Sequence, residues 1–260
     1  MKVAVVTGAT GGIGERIAAG LVKKGYVVYS LARSRKNAEG VRYRLVDLSD
    51  FEAAGEAVRQ IAEEAGRIDL LVNNAGIGIG GAVETHTDEE IARLMTVNFT
   101  AAVALTNRVI PYLRQTKGRI VNIGSVAGEL PIPFQTMYSA SKSAIHAYSA
   151  ALAGELHPFG IKVSCVIPGD TRTPFTANRQ MAKHDDLYAD RAERSIRRME
   201  RDEQNGTSPD RVAEVVVRCA TQKRPPLRVA VGAKYKLFLI IGKLLPFGIV
   251  GAILNKLYAE

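Results

Sequence analysis

The alternation of short apolar runs with longer helical segments most strongly constrains how this chain folds. Seven runs rich in Val, Ile and Leu predict strands, at residues 2–6, 26–31, 41–46, 69–72, 119–123, 162–167 and 227–231. Segments of helical period lie at residues 12–24, 51–65, 88–115, 137–157 and 209–221. Because the strands are apolar on both faces, they suit a buried parallel sheet. We predict a doubly wound α/β fold of about seven strands, with helices on both faces in three layers.

The length and composition of the chain favour one large domain in a reducing compartment. No repeat or low-complexity linker divides the 260 residues, and a hydrophobic content of 47% excludes global disorder. The two cysteines, Cys165 and Cys219, exclude a disulfide framework. Only about five apolar residues precede the first glycine, too few for the core of a signal peptide. We expect a single domain over residues 1–260 and a cytoplasmic location.

Two segments interrupt the alternation. Residues 171–204 hold eight Lys or Arg and seven Asp or Glu. We predict that residues 171–205 form a helical lid over a substrate cleft, with a solvated helix pair as the alternative. Residues 234–260 are mostly apolar, but Lys243 and Pro246 interrupt them before the ~20 apolar residues that a membrane span requires. Three interpretations of this tail stay open: packing against the body or a second subunit, lining the cleft, or contact with a membrane surface.

A glycine-rich turn joins the first predicted strand to the first helix. Residues 7–14 read TGATGGIG, so Gly8, Gly12 and Gly14 differ in spacing from the GxGxxG fingerprint. Glycines let the backbone approach a pyrophosphate closely, and a helix N-terminus offers free N–H groups to that anion. The turn predicts a phosphate-binding site, and a tight turn without a ligand is the alternative.

The end of the second predicted strand bears on which dinucleotide is bound. Dinucleotide-binding folds that prefer NAD place a carboxylate there, whereas an arginine accommodates the 2′-phosphate of NADP. Residues 32–36 read ARSRK, without a carboxylate. Residues 23–44 carry +6 of the formal net charge of +9. This pattern predicts NADP(H) rather than NAD(H); ordinary basic surface residues are the alternative.

Tyr138 and Lys142 lie four residues apart in a predicted helix, so their side chains project from one face. A phenol with a pKa near 10 is a poor acid or base at neutral pH. A neighbouring ammonium favours the phenolate and lowers the phenol pKa. The pair therefore suits proton exchange with a substrate, although the YxxxK spacing alone is common in helices.

The context of this pair resembles one enzyme family. The chain contains, in order, TGxxxGIG at residues 7–14, NNAG at 73–76, Asn98, Ser125 thirteen residues before Tyr138, YxxxK, and a Pro-Gly pair at 168–169. On these motifs, residues 2 to about 173 and the final strand resemble the short-chain dehydrogenase/reductase family. The resemblance implies a Rossmann-type fold and hydride transfer between a nicotinamide cofactor and a ketone or secondary alcohol.

The resemblance also implies the cofactor contacts. The pyrophosphate residues would be Gly8, Thr10, Gly12, Ile13 and Gly14. Those at the 2′-phosphate would be Arg33 and Ser34, and those at the adenine Asp47 and Leu48. The remaining contacts would be Asn74, Ala75, Gly76, Tyr138, Lys142, Pro168, Gly169 and Thr173. One departure is Gly11, which stands where many NADP-dependent members have a basic residue, so the choice of NADP(H) rests mainly on Arg33.

Four residues would form the catalytic set that the resemblance implies. Tyr138 would exchange a proton with the substrate oxygen, and Lys142 would lower its pKa and bind the nicotinamide ribose. Ser125 would hydrogen-bond the substrate oxygen where charge develops. Asn98 would hold a water on the proton path. Taken singly, Ser125 and Asn98 could instead satisfy backbone groups.

The expected partner is a small carbonyl or alcohol substrate, apolar or lipid-like because the tail and residues 128–134 are apolar. The family resemblance implies a homodimer or homotetramer. No histidine lies in a segment with metal-ligand spacing, so no metal site is predicted. Nucleic-acid binding is disfavoured by an aromatic content of 6% without tryptophan. The rival hypothesis is a non-catalytic NADP-binding redox sensor.

Overall fold

The computed structural model describes residues 1–175, 177–183 and 186–259. Seven strands form the central sheet: β1 (Lys2–Thr7), β2 (Tyr26–Ala32), β3 (Val41–Leu45), β4 (Leu70–Asn73), β5 (Arg119–Ile123), β6 (Lys162–Pro168) and β7 (Arg228–Val231). They lie parallel in the order β3-β2-β1-β4-β5-β6-β7. The predicted doubly wound α/β sheet is confirmed. Thr176, His184 and Asp185 of the predicted lid, and Glu260 of the predicted tail, lie outside the described residues.

Helices cover both faces of this sheet. They are α1 (Gly12–Lys23), α2 (Phe51–Ala65), α3 (Asp88–Met95), α4 (Ala101–Thr116), α5 (Thr136–Leu156), α6 (Ala189–Gln204), α7 (Pro209–Thr221), α8 (Ala233–Leu244) and α9 (Phe247–Tyr258). Ile17 of α1 and Val216 of α7 are fully buried against one face. Ile61 of α2, Leu105 of α4 and Leu152 of α5 are buried against the other. This burial supplies most of the driving force for the three-layer arrangement.

The strand order reverses direction at β1, which has β2 on one side and β4 on the other. In doubly wound sheets a crevice opens at such a point, outside the carboxyl ends of the strands. Asp69, just before β4, accepts a hydrogen bond from the Val3 N–H at 2.8 Å. At the other end, the Thr7 hydroxyl oxygen accepts hydrogen bonds from the N–H groups of Asn74 and Ala75, at 2.9 and 3.0 Å. Both ends of β1 are thereby fixed against the β4 segment.

The single helix predicted over residues 88–115 is divided in the structure. A five-residue π-helical turn, Thr96–Thr100, separates α3 from α4. Asn98 in this turn is buried, and its amide side chain binds both backbone groups of Ile77 at 2.8 and 3.0 Å. The pattern of apolar residues continues through a π turn, so periodicity alone could not reveal it. Such turns are frequent at functional sites.

The C-terminal tail packs against the body of the protein as two helices. Tyr235 of α8 donates a hydrogen bond to the Asp170 carboxylate at 2.7 Å, and Leu239 is buried beside Ile167. On α9, the Tyr258 hydroxyl donates to the Asp202 carboxylate of α6 at 3.3 Å. Within the described ranges, no helix combines the length and the apolar character needed to cross a membrane.

Candidate active site

A cavity of about 990 Å³ lies at the carboxyl ends of the central strands. Its lining includes all the residues expected to bind cofactor: Gly8, Thr10, Gly12, Ile13, Gly14, Arg33, Ser34, Asp47, Leu48, Asn74, Ala75, Gly76, Tyr138, Lys142, Pro168, Gly169 and Thr173. Ser125 also lines the cavity. Asn98 is 2% exposed and lies behind Gly76, where an added Cβ would be 3.3 Å from the Asn98 Oδ1. Residues far apart in the sequence therefore share one cleft.

The turn after β1 has the shape of a cradle for a pyrophosphate. Gly8 and Gly12 have φ angles of +69° and +53°, which favour glycine. A Cβ on Gly14 would lie 2.2 Å from the Gly8 carbonyl oxygen. The N-cap of α1 is Gly11, whose lack of a side chain leaves the first N–H groups of the helix open toward the cavity. These features fit a bound dinucleotide, because phosphate oxygens can approach backbone N–H groups here.

The basic segment after β2 is less concentrated at the cavity than its sequence suggests. Arg42 and Arg44 form ion pairs with the Glu64 carboxylate of α2, and Lys36 pairs with Glu15 at 2.7 Å. Arg33 lines the cavity and is exposed; within the described part of the chain it has no ion-pair partner. The positive charge that faces the cleft from this segment is therefore mainly that of Arg33.

The Asp47 carboxylate lines the cavity together with this arginine. It accepts hydrogen bonds from the Ser49 hydroxyl at 2.6 Å and the Ser49 N–H at 2.9 Å. These bonds lower the pKa of Asp47, and the positive charges of Arg33 and Arg93 lower it further. Asp47 is consequently held ionised, with its oxygens fixed at the cavity wall.

Lys142 is buried beneath Tyr138 and points toward the sheet. Its Nζ donates a hydrogen bond to the Ile123 carbonyl oxygen at 2.9 Å and lies 5.8 Å from the Tyr138 ring centroid. Burial lowers the pKa of Lys142 to about 8, because charging an ammonium away from water is costly. Near neutral pH the side chain is therefore close to the point where it can gain or lose a proton.

The Tyr138 phenol is shifted in the direction opposite to the sequence expectation. Burial raises the pKa of Tyr138 to about 12, and the negative charges of Glu203 and Asp170 also raise it. The hydrogen bond with Ser125 and the charge of Arg179 oppose this rise. The Lys142 ammonium donates its hydrogen bond to the Ile123 carbonyl oxygen and not to the phenol. The phenol therefore keeps its proton at neutral pH.

The Ser125 turn is supported from behind by His146. The Ser125 N–H donates to the Nε2 atom of His146 at 3.3 Å, and the Ser125 hydroxyl oxygen accepts from the Ala127 N–H at 3.2 Å. Burial lowers the pKa of His146 to about 4, so the ring is neutral and can accept this bond. A Cβ on Gly124 would lie 2.2 Å from Nε2. His146 therefore positions Ser125 without reaching the cavity, a role that spacing along one helix did not indicate.

Sequence reasoning predicted the segments that close the far end of the cavity but did not name their individual residues as site residues. Asp170, Asp202 and Glu203 line it, and Arg179 binds Glu203 at 2.5 Å. The apolar lining comes from Leu130, Ile132, Phe175, Met199, Phe238, Leu254 and Leu257. The sequence signals for this end were the charge density of residues 171–204, the apolar residues 128–134 and the apolar tail. All three segments contribute to the wall.

Comparison with known proteins supports the family assignment. The family model for short chain dehydrogenase matches residues 2–184. The chain belongs to the short-chain dehydrogenase/reductase family. A 3-ketodihydrosphingosine reductase of Bacteroides thetaiotaomicron is 42% identical over 236 residues, covering 89% of this chain and 88% of the relative. The predicted Rossmann-type fold and oxidoreductase class are thus confirmed.

Solved structures agree with this family. A short-chain dehydrogenase from Streptomyces avermitilis has a TM-score of 0.84 at 30% identity, covering 98% of this chain and 95% of that one. A 3-ketoacyl-(acyl-carrier-protein) reductase from Brucella melitensis, complexed with NADH, has a TM-score of 0.75 at 26% identity, covering 88% of this chain and 96% of its own. The fold is therefore one that binds a nicotinamide dinucleotide.

Gly14→Ala tests the cradle. Its Cβ would meet the Gly8 carbonyl at 2.2 Å, so the turn must open. We expect the variant to bind NADPH at least about tenfold more weakly and to lose about 1–3 kcal/mol of unfolding free energy. Titration of NADPH and denaturant unfolding measure the two effects. Gly154→Ala, where a Cβ has open space in α5, is the control and leaves binding unchanged; equal NADPH affinities in all three proteins contradict the prediction.

The burial of Lys142 predicts a pH dependence of stability. Folded Lys142 releases its proton near pH 8, whereas an unfolded lysine keeps it to about 10.5. Between these values the unfolded state binds more protons, so stability rises with pH. Relative to Lys142→Met, the wild-type unfolding free energy should rise by up to about 3 kcal/mol from pH 7.5 to 10.5. Denaturant unfolding without dinucleotide measures this, with the exposed Lys24→Met as control. Parallel curves for wild type and Lys142→Met contradict it.

Proposed function

We propose that the protein is an NADP(H)-dependent oxidoreductase that interconverts a ketone and a secondary alcohol. One observation carries this proposal: a single cavity joins the glycine cradle, the group Ser125, Tyr138 and Lys142, and a far wall that holds both apolar and charged side chains. A nicotinamide cofactor held in the cradle supplies or accepts the hydride. The remaining work of the protein is to place the substrate, exchange one proton and stabilise charge on oxygen.

We assign the proton exchange to Tyr138. Its raised pKa keeps the phenol protonated at neutral pH, so a proton is available for a carbonyl oxygen that gains charge during reduction. Ser125 hydrogen-bonds the same oxygen and stabilises its charge. Lys142, with a pKa of about 8, is suited to restore the proton from below. Nδ2 of Asn98 donates to the Ser141 hydroxyl at 3.1 Å and so holds the wall beside Lys142 in place.

The preference for NADP(H) is supported by Arg33. This residue lines the cleft next to Ala32, which stands in place of an NAD-selecting carboxylate, and its guanidinium suits the oxygens of a 2′-phosphate. The similar reductase from Brucella melitensis is complexed with NADH, so the choice depends on this chain's own residues.

An apolar, lipid-like ketone is the substrate class that the far wall favours. Phe238, Leu254 and Leu257 line it from the C-terminal helices, and Phe175 lies 5.7 Å from Tyr138 between ring centroids. The relative from Bacteroides thetaiotaomicron is named for reduction of 3-ketodihydrosphingosine, a long-chain ketone. The family resemblance further supports a homodimer or homotetramer as the assembly.

A redox sensor of the same fold is the second candidate. It would need the cradle and Arg33 but neither the Tyr138 phenol nor Ser125. The hydrogen bond between these two side chains, and the support of Ser125 by His146, favour catalysis because a sensor gains nothing from them.

Tyr138→Phe separates the two candidates. Without the phenolic proton, we expect kcat for reduction of a long-chain ketone by NADPH to fall about a hundredfold to ten-thousandfold. NADPH affinity should stay within about threefold of wild type, because the cradle is unchanged. NADPH absorbance follows turnover, and titration gives the Kd.

The matched control is Tyr112→Phe on α4, which removes a hydroxyl from a half-buried tyrosine outside the cavity. It should retain full activity. Undiminished reduction by Tyr138→Phe contradicts the catalytic assignment. Tight NADPH binding by the wild type, with no turnover of any ketone in an apolar series, favours the sensor.

Arg33→Ala tests the cofactor preference. Loss of a charged hydrogen-bond donor to the 2′-phosphate should weaken NADPH binding about ten- to a hundredfold and leave NADH binding unchanged. Lys24→Ala removes the same charge from the basic segment away from the cavity and should alter neither affinity. Equal wild-type affinities for NADPH and NADH would overturn the NADP(H) assignment.

A further inference from the structure

The two C-terminal helices carry an exposed apolar surface. Nine of the sixteen large hydrophobic side chains that are exposed among the described residues lie here: Leu237, Phe238, Ile240, Ile241, Leu244, Phe247, Ile249, Ile253 and Leu257. We call these nine side chains the tail surface. Leu244 and Phe247, at the turn between α8 and α9, are each 79% exposed. Soluble proteins scatter such side chains singly, and a continuous patch marks an interaction site.

The tail surface is held in a fixed position by the opposite faces of its helices. Gly169 lies so close to the Tyr235 ring that an added Cβ would be 2.2 Å away. Leu239 and Val250 are buried, and the Arg191 guanidinium donates to the Ala259 carbonyl oxygen at 2.8 Å. The exposed side chains are therefore presented by docked helices and do not arise from a loose terminus.

The charged side chains on α8 and α9 are all lysines. Lys234, Lys236, Lys243 and Lys256 are exposed on α8 and α9, and residues 233–259 contain no Asp or Glu. A twofold contact between two copies would bring these ammonium groups near one another, which is unfavourable. Anionic lipid headgroups offer the complementary charge, while the acyl region takes up apolar side chains.

The tail surface is continuous with the cavity. Phe238 and Leu257 belong to both, since each lines the cavity and is about two-fifths exposed, at 41% and 40%. Leu254 of α9 also belongs to the apolar lining of the cavity. A molecule with an alkyl chain could move from a bilayer into the cavity along these side chains without exposing that chain to water.

We propose that α8 and α9 dock this protein on the surface of a bilayer that contains anionic lipid. Leu244 and Phe247 enter the boundary of the acyl chains, and the lysines contact the headgroups. The helices lie in the interface without spanning it. The proposal does not depend on the proposed reaction, because it concerns binding to lipid alone.

Flotation of the full chain with vesicles tests this docking. The probes are vesicles of phosphatidylcholine alone and of phosphatidylcholine with about one quarter phosphatidylglycerol. The wild type should float with the anionic vesicles and at least tenfold less with the neutral ones. The double variant Leu244→Asp with Phe247→Asp should reduce flotation on anionic vesicles at least tenfold. Both positions are exposed, so the fold is unaffected, as circular dichroism and NADPH titration will verify.

Matched controls carry the same charge changes elsewhere. Leu45→Asp with Val83→Asp adds the same two negative charges at exposed apolar residues outside the tail surface. This control should float with anionic vesicles nearly as well as the wild type. Lys243→Gln with Lys256→Gln should weaken binding more than Lys23→Gln with Lys24→Gln.

Absence of wild-type flotation, equal binding to both vesicle types, or full binding by the Leu244 and Phe247 variant overturns the proposal. Light scattering measures whether this variant has a lower oligomeric mass than the wild type. If it does, and the wild type binds no vesicles, the tail surface is instead a contact with a second copy of the chain.

Discussion

The hydroxyl of Thr7 holds the ends of β1 and β4 together, and the cofactor end of the cavity depends on that contact. It accepts the N–H groups of Asn74 and Ala75, while the Asn74 amide donates to the carbonyl oxygens of Thr7 and Gly8 at 3.0 and 3.2 Å. These bonds fix the glycine turn against the neighbouring strand. Gly14 can then approach the Gly8 carbonyl, and the first turn of α1 faces the cleft. A larger side chain at either glycine would separate the strand from its helix.

Burial sets the protonation of the catalytic candidates in opposite directions. The same exclusion of water that raises the pKa of Tyr138 lowers the pKa of Lys142, because each shift favours the uncharged form. The two pKa values therefore move apart, from ordinary values of 10.0 for the tyrosine and 10.5 for the lysine to about 12 and about 8. The Tyr138 phenol therefore keeps its proton at neutral pH, whereas Lys142 is close to the pH at which it titrates. Neutral His146 supports Ser125 without adding charge to this region.

The C-terminal helices have features of each interpretation that the sequence left open. Their inner faces bind α6 and the end of β6 through Tyr258 and Tyr235, and some of their apolar residues line the cavity. Their outer faces carry exposed apolar side chains and lysines. Amphipathic helices can meet two environments at once because their residues divide between opposite faces. Packing and cleft formation are thus compatible with contact with a lipid surface.

The sequence by itself determined the sheet, the glycine turn and the order of the family motifs. These follow from local composition and from short spacings, such as the four residues between Tyr138 and Lys142. It did not determine the π turn at Asn98, whose side chain is held by the backbone of a residue 21 positions away. Nor could it show that Arg42 and Arg44 are taken up by Glu64, which leaves Arg33 to face the cleft. Those outcomes depend on which distant groups meet in three dimensions and on how much water the folded chain excludes, and only the tertiary structure decides either.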